Sequence, residues 1–162
     1  MRPASTLGGP PFHASFAVRS RDEAAELAAR LGEYFPEPGP AVLGLQELLF
    51  NAIEHGNLAI GTAHKAALLR AGRFVEEIGA RLADPRYRDR RVSIDLVVRD
   101  RDVEVTITDE GGGFDAAAAL ARDLEASAAP NGRGIALTRA TVFPSLTYRG
   151  CGNTAVVTAR WP

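Results

Sequence analysis

The sequence lacks several features that mark common functional classes. Its 19 basic and 20 acidic side chains give a formal net charge of -1, which offers no electrostatic case for a nucleic-acid or membrane partner. The single Cys151 excludes an internal disulfide and leaves no cysteine cluster for a metal. No apolar run approaches the roughly 18 residues of a spanning helix, and the N terminus lacks a signal-peptide core. We therefore expect a cytoplasmic protein.

What is present is the composition of an ordinary globular domain. The 162 residues are 46% hydrophobic and 24% charged, which is enough to bury a core without disulfides or metals. Residues 1–11 contain three prolines and two glycines, and we expect them to be a flexible lead-in. We expect residues 12–162 to form a single domain.

Periodicity predicts the order of helices and strands. Ser20, followed three residues later by Glu23, is typical of a capping box and predicts a helix to about residue 34. Pro36, Pro38 and Pro40 are expected to break the chain after it. The remaining patterns predict strands over 12–18, 92–98, 103–109, 145–149 and 154–160, and helices over 41–54, 62–84, 116–126 and 134–142. This order suits a two-layer α/β (α+β) sandwich with helices on one face of a mixed, largely antiparallel sheet.

Polar side chains gather on one edge of the predicted helix 41–54. Glu47, Asn51 and Glu54 follow helical spacing, His55 borders them, and Gly56 is a natural C-cap. The apolar residues occupy the other side of the helix: Val42, Leu45, Leu49, Ala52 and Ile53. An exposed polar face would give the same pattern, but this helix is otherwise apolar and must pack on the sheet. The amide oxygen of Asn51 is a hard ligand that suits Mg²⁺.

The strand 103–109 ends on an acid that precedes a glycine loop. Asp109 continues the parity of the buried positions before it, so its carboxylate is expected on the buried face, where it needs hydrogen-bond donors. Gly111 and Gly113 permit positive φ and close approach of the backbone to a ligand. An aspartate that merely caps a turn would be the alternative for this residue alone.

A second glycine turn precedes the predicted helix 134–142. Gly132 and Gly134 flank Arg133, and the free N–H groups of a helix start suit phosphate oxygens. Arg133 is equally well explained as a phosphate contact or as a solvent-facing side chain.

Three segments, in this order, resemble the ATP site of the GHKL superfamily (gyrase, heat-shock chaperone, histidine kinase, mismatch-repair ATPase) and its Bergerat-type fold: residues 47–57 (ELLFNAIEHGN), 109–114 (DEGGGF) and 131–135 (NGRGI). The resemblance implies ATP and Mg²⁺ as ligands, with Asp109 accepting from the adenine amine and Asn51 on the metal. Glu47 would orient or deprotonate the nucleophile, and the glycines of the second and third segments would approach the nucleotide. His55 would have a structural or supporting role.

Residues 47–56, with the closing residues 152–156 (GNTAV), look like the anti-sigma-factor serine/threonine kinase branch. That resemblance implies a STAS-like anti-sigma antagonist as substrate, a sigma factor as possible partner, a possible homodimer, and a contact of Thr154 near the adenine. Residues 58–91 would be a helical insertion and residues 115–131, rich in alanine, the ATP lid. An ATP-gated binding switch with little phosphoryl transfer, a bare ATPase and a purely structural domain are the alternatives.

Overall fold

The computed structural model describes residues 11–120 and 134–162, which contain five strands and seven helical segments. The strands are β1 Phe12–Val18, β2 Val92–Val98, β3 Asp102–Thr108, β4 Thr147–Arg149 and β5 Thr154–Arg160. The helices are α1 Arg21–Gly32, α2 Pro38–Asn51, a π-helix Ala52–Asn57, α3 Thr62–Arg70, α4 Phe74–Ala83, α5 Ala116–Leu120 and α6 Gly134–Thr141. Within these residues, no helix combines the length and the apolar character that crossing a membrane requires.

The strands form one sheet in the order β1-β2-β3-β5-β4. Every second residue of β2 and β3 is buried, so one face of the sheet is covered and the other is open. Leu45 and Leu49 of α2 are fully buried in the core that this covered face shares with the helices. The two-layer α/β sandwich is confirmed. The pairings among these strands are all antiparallel, so the mixed sheet that the prediction allowed is not found among them.

The capping box at the start of α1 is confirmed. The Ser20 hydroxyl accepts from the Glu23 amide at 3.2 Å, and the Glu23 carboxylate accepts from the Ser20 amide at 3.1 Å. The Arg19 and Ser20 amides hold the pKa of the Glu23 carboxyl below its usual value. This closed cap fixes the first residue of α1, Arg21, whose side chain reaches the end of α2.

The prediction that three prolines break the chain before α2 was wrong for two of them. Pro38 and Pro40 lie in the first turn of α2, and only Pro36 precedes the helix. The first amides of a helix have no intrahelical acceptor, so a proline there loses no hydrogen bond and its fixed φ favours the helix.

The helix also fails to end at Gly56 as predicted. It continues as a π-helix, whose last bond runs from the Leu58 amide to the Ile53 carbonyl oxygen at 2.8 Å. A Cβ added to Gly56 would collide with the carboxyl group of Asp109. Gly56 is therefore required for close packing against Asp109, and it is not a C-cap.

The predicted helix 62–84 is two helices. Gly72, with φ +67°, separates α3 from α4 in a left-handed turn that a side chain would strain. Arg81 of α4 donates to the carbonyl oxygens of Leu58, at 2.6 Å, and of Ala59, at 3.0 Å, which ties this helix pair to the end of the π-helix. That residues 58–91 are an insertion stays a prediction. In the structure this segment contains α3 and α4.

Two predicted segments lie largely outside the described residues. Of the lead-in 1–11, only Pro11 is described. Of the predicted lid 115–131 and its helix 116–126, the structure describes residues up to Leu120, with α5 over Ala116–Leu120. Both assignments stay predictions.

Candidate nucleotide-binding site

A cavity of about 580 Å³ lies between the π-helix, the end of β3 and the paired strands β4 and β5. Pockets for small molecules usually measure roughly 300–1,000 Å³, so its size suits a nucleotide. The predicted site residues on its wall are Glu47, Asn51, Asp109, Gly113 and Gly134. The structure thus brings together residues that are up to 87 positions apart in the chain (134 − 47).

Glu47 and Asn51 form a hydrogen-bonded pair on the wall of the cavity. They stand one turn apart on α2, and the Asn51 amide nitrogen donates to Glu47 Oε1 at 3.0 Å. The bond leaves the Asn51 side-chain oxygen outside the pair. A Cβ added to Gly134 would collide with Glu47 Oε1, so the backbone of α6 approaches this carboxylate as closely as a glycine allows.

Asp109 follows the last residue of β3 and turns its carboxylate to the cavity. The Gly111 amide donates to Asp109 Oδ1 at 2.8 Å. Asn153 fixes the backbone on both sides, because its carbonyl oxygen accepts from the Asp109 amide and its side-chain amide donates to the Asp109 carbonyl, each at 3.0 Å. Asp109 thus continues the buried side of β3, on which Ile107 also lines the cavity.

The pKa of the Asp109 carboxyl is raised above its usual value. Burial is the main cause, and it outweighs the Gly111 amide and the positive charge of Arg90, which both act in the opposite direction. The protein thus supplies less hydrogen bonding than the charged carboxylate would need. A ligand that donates an N–H to Asp109 would favour its ionised form.

Glycines bring the backbone close to this corner of the cavity. A Cβ on Gly111 would collide with the Gly56 carbonyl group, so the glycine loop and the π-helix touch each other directly. Gly113 has φ +76° and packs against the Cys151 carbonyl group. The exposed Cys151 also accepts, through its carbonyl oxygen, from the Phe114 amide at 3.0 Å. Its turn therefore supports the glycine loop.

The expectation that Glu54 shares the polar edge of Glu47 and Asn51 was wrong. Glu54 is fully buried, away from the cavity wall, and pairs with Arg21 Nη1 at 2.7 Å and with Lys65 Nζ. The guanidinium group of Arg21 lies over the Phe50 ring at 4.2 Å. The change from α-helix to π-helix after Asn51 alters the spacing, so the pattern i, i+4, i+7 no longer holds.

Thr154 is not brought into the cavity. Its neighbours Asn153 and Ala155 line the wall, whereas Thr154 Oγ1 lies 3.2 Å from Thr108 Oγ1 on the adjacent strand. Successive residues of a strand point to opposite faces, and this alternation turns Thr154 away. Of the predicted phosphate turn, Gly132 and Arg133 lie outside the described residues.

Sequence reasoning missed Tyr148, which lines the cavity from β4. Its ring meets Phe114 edge-on, with 5.0 Å between the ring centroids. Burial and the carboxylates of Asp109 and Glu47 raise the pKa of its phenol, which therefore stays protonated at neutral pH. No local sequence pattern indicates this position, because it depends on the register of β4 and β5, in which Tyr148 pairs with Ala155.

The arginine-rich segment 86–91 supports the site. Arg90 Nη1 donates to the Asn57 carbonyl oxygen at 3.0 Å, and the Arg91 amide donates to the Glu110 carboxylate at 2.8 Å. The Asn57 side-chain oxygen in turn accepts from the Glu110 amide at 2.7 Å. These bonds join the segment to the π-helix and to the residue after Asp109.

The fold and this arrangement define a nucleotide-binding domain of the GHKL type. A family model described as the histidine kinase-like ATPase domain matches residues 62–161, more than half of the chain, and the chain belongs to this family. Domains of this kind bind ATP, usually with Mg²⁺. No curated protein matches the chain. Glu47 and Asn51 precede the matched range, so their place in the site rests on the cavity geometry.

Proposed function

We infer that the chain is an ATP- and Mg²⁺-dependent serine/threonine protein kinase of the anti-sigma-factor type. Its substrate would be a STAS-like anti-sigma antagonist, and phosphorylation of that antagonist would regulate a sigma factor. One observation carries the proposal: the Glu47–Asn51 pair faces the cavity that also contains Asp109. A carboxylate beside a hard amide ligand, in a nucleotide-sized cavity, can orient the nucleophile and hold the metal ion for phosphoryl transfer.

The residues present fit both ligands. Asp109 is an acceptor that the protein satisfies incompletely, so it suits the exocyclic amine of adenine. The Gly56–Gly111 contact and the left-handed Gly113 let the backbone pack closely beside Asp109, where larger residues would add side chains. The Asn51 oxygen would hold Mg²⁺, which takes few protein ligands and shares the phosphates of the nucleotide.

In the proposed reaction, Glu47 receives the proton of the attacking hydroxyl group. The serine oxygen forms a bond to the terminal phosphorus of ATP, the bond to the bridging oxygen breaks, and ADP leaves. Mg²⁺, when bound, would neutralise charge on the phosphates. The hydrogen bond from Asn51 occupies Glu47 Oε1 and fixes the orientation of the carboxylate, which leaves Oε2 for the hydroxyl group.

The test is transfer of phosphate to serine with Glu47 changed to glutamine. The chain is incubated with ATP, Mg²⁺ and the STAS-domain proteins of the same genome, and phosphoserine is measured by mass spectrometry. Glu47→Gln should lower the rate about 10²- to 10⁴-fold while ATP still binds, because a glutamine keeps the size but accepts no proton. Glu76→Gln on α4, with a side chain that is 68% exposed, makes the same chemical change outside the cavity and should leave the rate unchanged. Equal rates in the Glu47 variant and the wild type would contradict the assignment.

The alternative is an ATP-gated switch that holds a partner and transfers little or no phosphate. The observation that favours it is the predicted lid, residues 115–131, whose sequence is dominated by alanine. If the wild type phosphorylates no STAS-domain protein, yet ATP and ADP change its affinity for one of them, the switch replaces the kinase. Release of phosphate without any protein acceptor would instead indicate an ATPase.

A further inference from the structure

Lys65 is the only lysine in a chain that otherwise uses arginine for its positive charges. It lies on α3 and lines the cavity together with Gly61 and Thr62, which precede it at the start of that helix. Lysine and arginine differ in chemistry, because an ammonium group is a compact charge with three rotatable donors on a flexible stem. The position of this single lysine at the cavity is therefore a specific feature of the chain.

Two groups hold Lys65 in place. Its Nζ bonds to Glu54 Oε2, on a carboxylate that is fully buried, and lies 5.5 Å from the centre of the Phe74 ring. Arg21 bonds to the other oxygen of the same carboxylate at 2.7 Å. Two cations share one anion, so the group carries a net positive charge. Glu54 occupies one of the three ammonium donors, which leaves donors of Lys65 for another acceptor.

The charged side chains on the cavity wall are mostly acidic. Three carboxylates line the cavity, those of Glu47, Asp109 and Asp115, and Lys65 is the one lysine or arginine on the wall among residues 11–120 and 134–162. A phosphate chain placed among carboxylates requires positive charge nearby. Lys65 supplies it from α3.

The π-helix connects Lys65 to the end of the cavity at Asp109. Gly56 packs against the Asp109 carboxyl group, and Glu54, two residues earlier on the same π-helix, bonds to Lys65. One structural element thus contacts the Asp109 carboxyl group through Gly56 and the Lys65 ammonium group through Glu54.

We propose that Lys65 binds the phosphate chain of the nucleotide, and that the buried Glu54 positions it for this contact. The proposal rests on the ATP site described above and assigns α3, within the predicted insertion 58–91, a direct part in ligand binding. Lys65 distinguishes nucleotides by their phosphates, whereas Asp109 recognises the base.

Calorimetry with ATP and adenosine tests this assignment. Lys65→Met should weaken ATP binding about 10- to 100-fold, the value of a hydrogen bond to a charged group, and should change adenosine affinity less than about twofold. Arg70→Met removes a positive charge from the same helix outside the cavity wall and should change neither affinity. Unchanged ATP affinity in Lys65→Met, or an equal loss for adenosine, would overturn the proposal. Failure of the folded wild type to bind ATP would instead overturn the nucleotide site itself.

A measurement on the wild type covers the case in which Lys65→Met does not fold. Labelling with ¹³C-lysine gives one lysine side-chain signal, because the chain has one lysine. Saturation with ATP, or with inorganic tripolyphosphate, should shift the Cε signal, and saturation with adenosine should not. If calorimetry shows that ATP binds while the Cε signal stays in place, Lys65 is only a structural partner of Glu54 and the proposal fails.

Discussion

Two carboxylates at the π-helix, that of Glu54 within it and that of Asp109 packed against it, have contrasting surroundings. Glu54 is fully buried and pairs with two cations, Arg21 and Lys65. Asp109 is half-buried, accepts from the Gly111 amide, and has a pKa raised by burial. The chain thus compensates the charge of the more deeply buried acid and leaves the other incompletely satisfied.

The difference separates a structural acid from the acid that we propose binds a ligand. A buried carboxylate such as Glu54 is compatible with a stable fold only while its cationic partners remain. A carboxylate such as Asp109, which the protein satisfies incompletely, can accept a hydrogen bond from a ligand. If burial alone indicated which carboxylate binds a ligand, Glu54 would be the candidate, because it is more deeply buried than Asp109. The decisive quantity is how much of the hydrogen bonding the protein itself supplies.

The largest effect should come from removing the compensated acid. Glu54→Ala leaves Arg21 and Lys65 close together without their anion, and we expect the free energy of unfolding to fall by about 3–5 kcal/mol. Urea denaturation measures it. Glu76→Ala, at an exposed site, should stay within about 0.5 kcal/mol of the wild type. A loss at Glu54 as small as the loss at Glu76 would contradict the structural role.

The second acid should show the reverse behaviour. Asp109→Asn should weaken ATP binding about 10- to 100-fold, because the adenine amine loses a charged acceptor. The amide oxygen of asparagine can still accept from Gly111, so we expect no loss of stability at pH 7. Calorimetry and urea denaturation give the two values. Asp95→Asn, on the open face of the sheet, serves as the control. Equal ATP affinity in wild type and Asp109→Asn would remove the assignment.

A third change perturbs Asp109 through its neighbour. In Gly56→Ala the new methyl group would meet the Asp109 carboxyl group and push it away from the π-helix. Overpacking of this kind typically costs about 1–3 kcal/mol of stability. Thermal unfolding should detect the loss, and ATP affinity should fall with it. Gly79→Ala, where a Cβ meets no atom within 4 Å, is the matched control. Identical stability of the two alanine variants would show that the Gly56 contact is not tight.

The smallest effect concerns pH. Because the pKa of Asp109 is raised on folding, its contribution to stability is fully present below its usual value of 3.8 and is lost as the pH rises through the raised value. The stability of Asp109→Asn relative to the wild type should therefore increase from about pH 4 upward and then level off. Urea denaturation of both proteins between pH 3.5 and 7 measures the difference. A relative gain by the wild type over this range would mean that the pKa is lowered.

Most of the fold could be predicted because local rules govern it. The capping box of Ser20 and Glu23 and the strict alternation of β2 and β3 are each set by a few neighbouring residues. The break at Gly72 and the helical prolines depend on how the backbone continues around them, so residue type alone gave the wrong result.

The site could be predicted in part, for a similar reason. Glu47, Asn51 and Asp109 follow from periodicity within one helix and one strand. The π-helix changes that periodicity after Asn51, so the place of Glu54 could not be read from α-helical spacing. Tyr148 and Lys65 reach the cavity through tertiary packing, which no local pattern encodes.

A calorimetric titration of the wild-type protein with ATP, in the presence and absence of Mg²⁺, tests the nucleotide site itself. We expect saturable binding that Mg²⁺ strengthens, because in the proposed site Asp109 would accept from the base and Asn51 would hold the metal beside the phosphates. Absence of saturable binding, in a protein that unfolds cooperatively and is therefore folded, would contradict it.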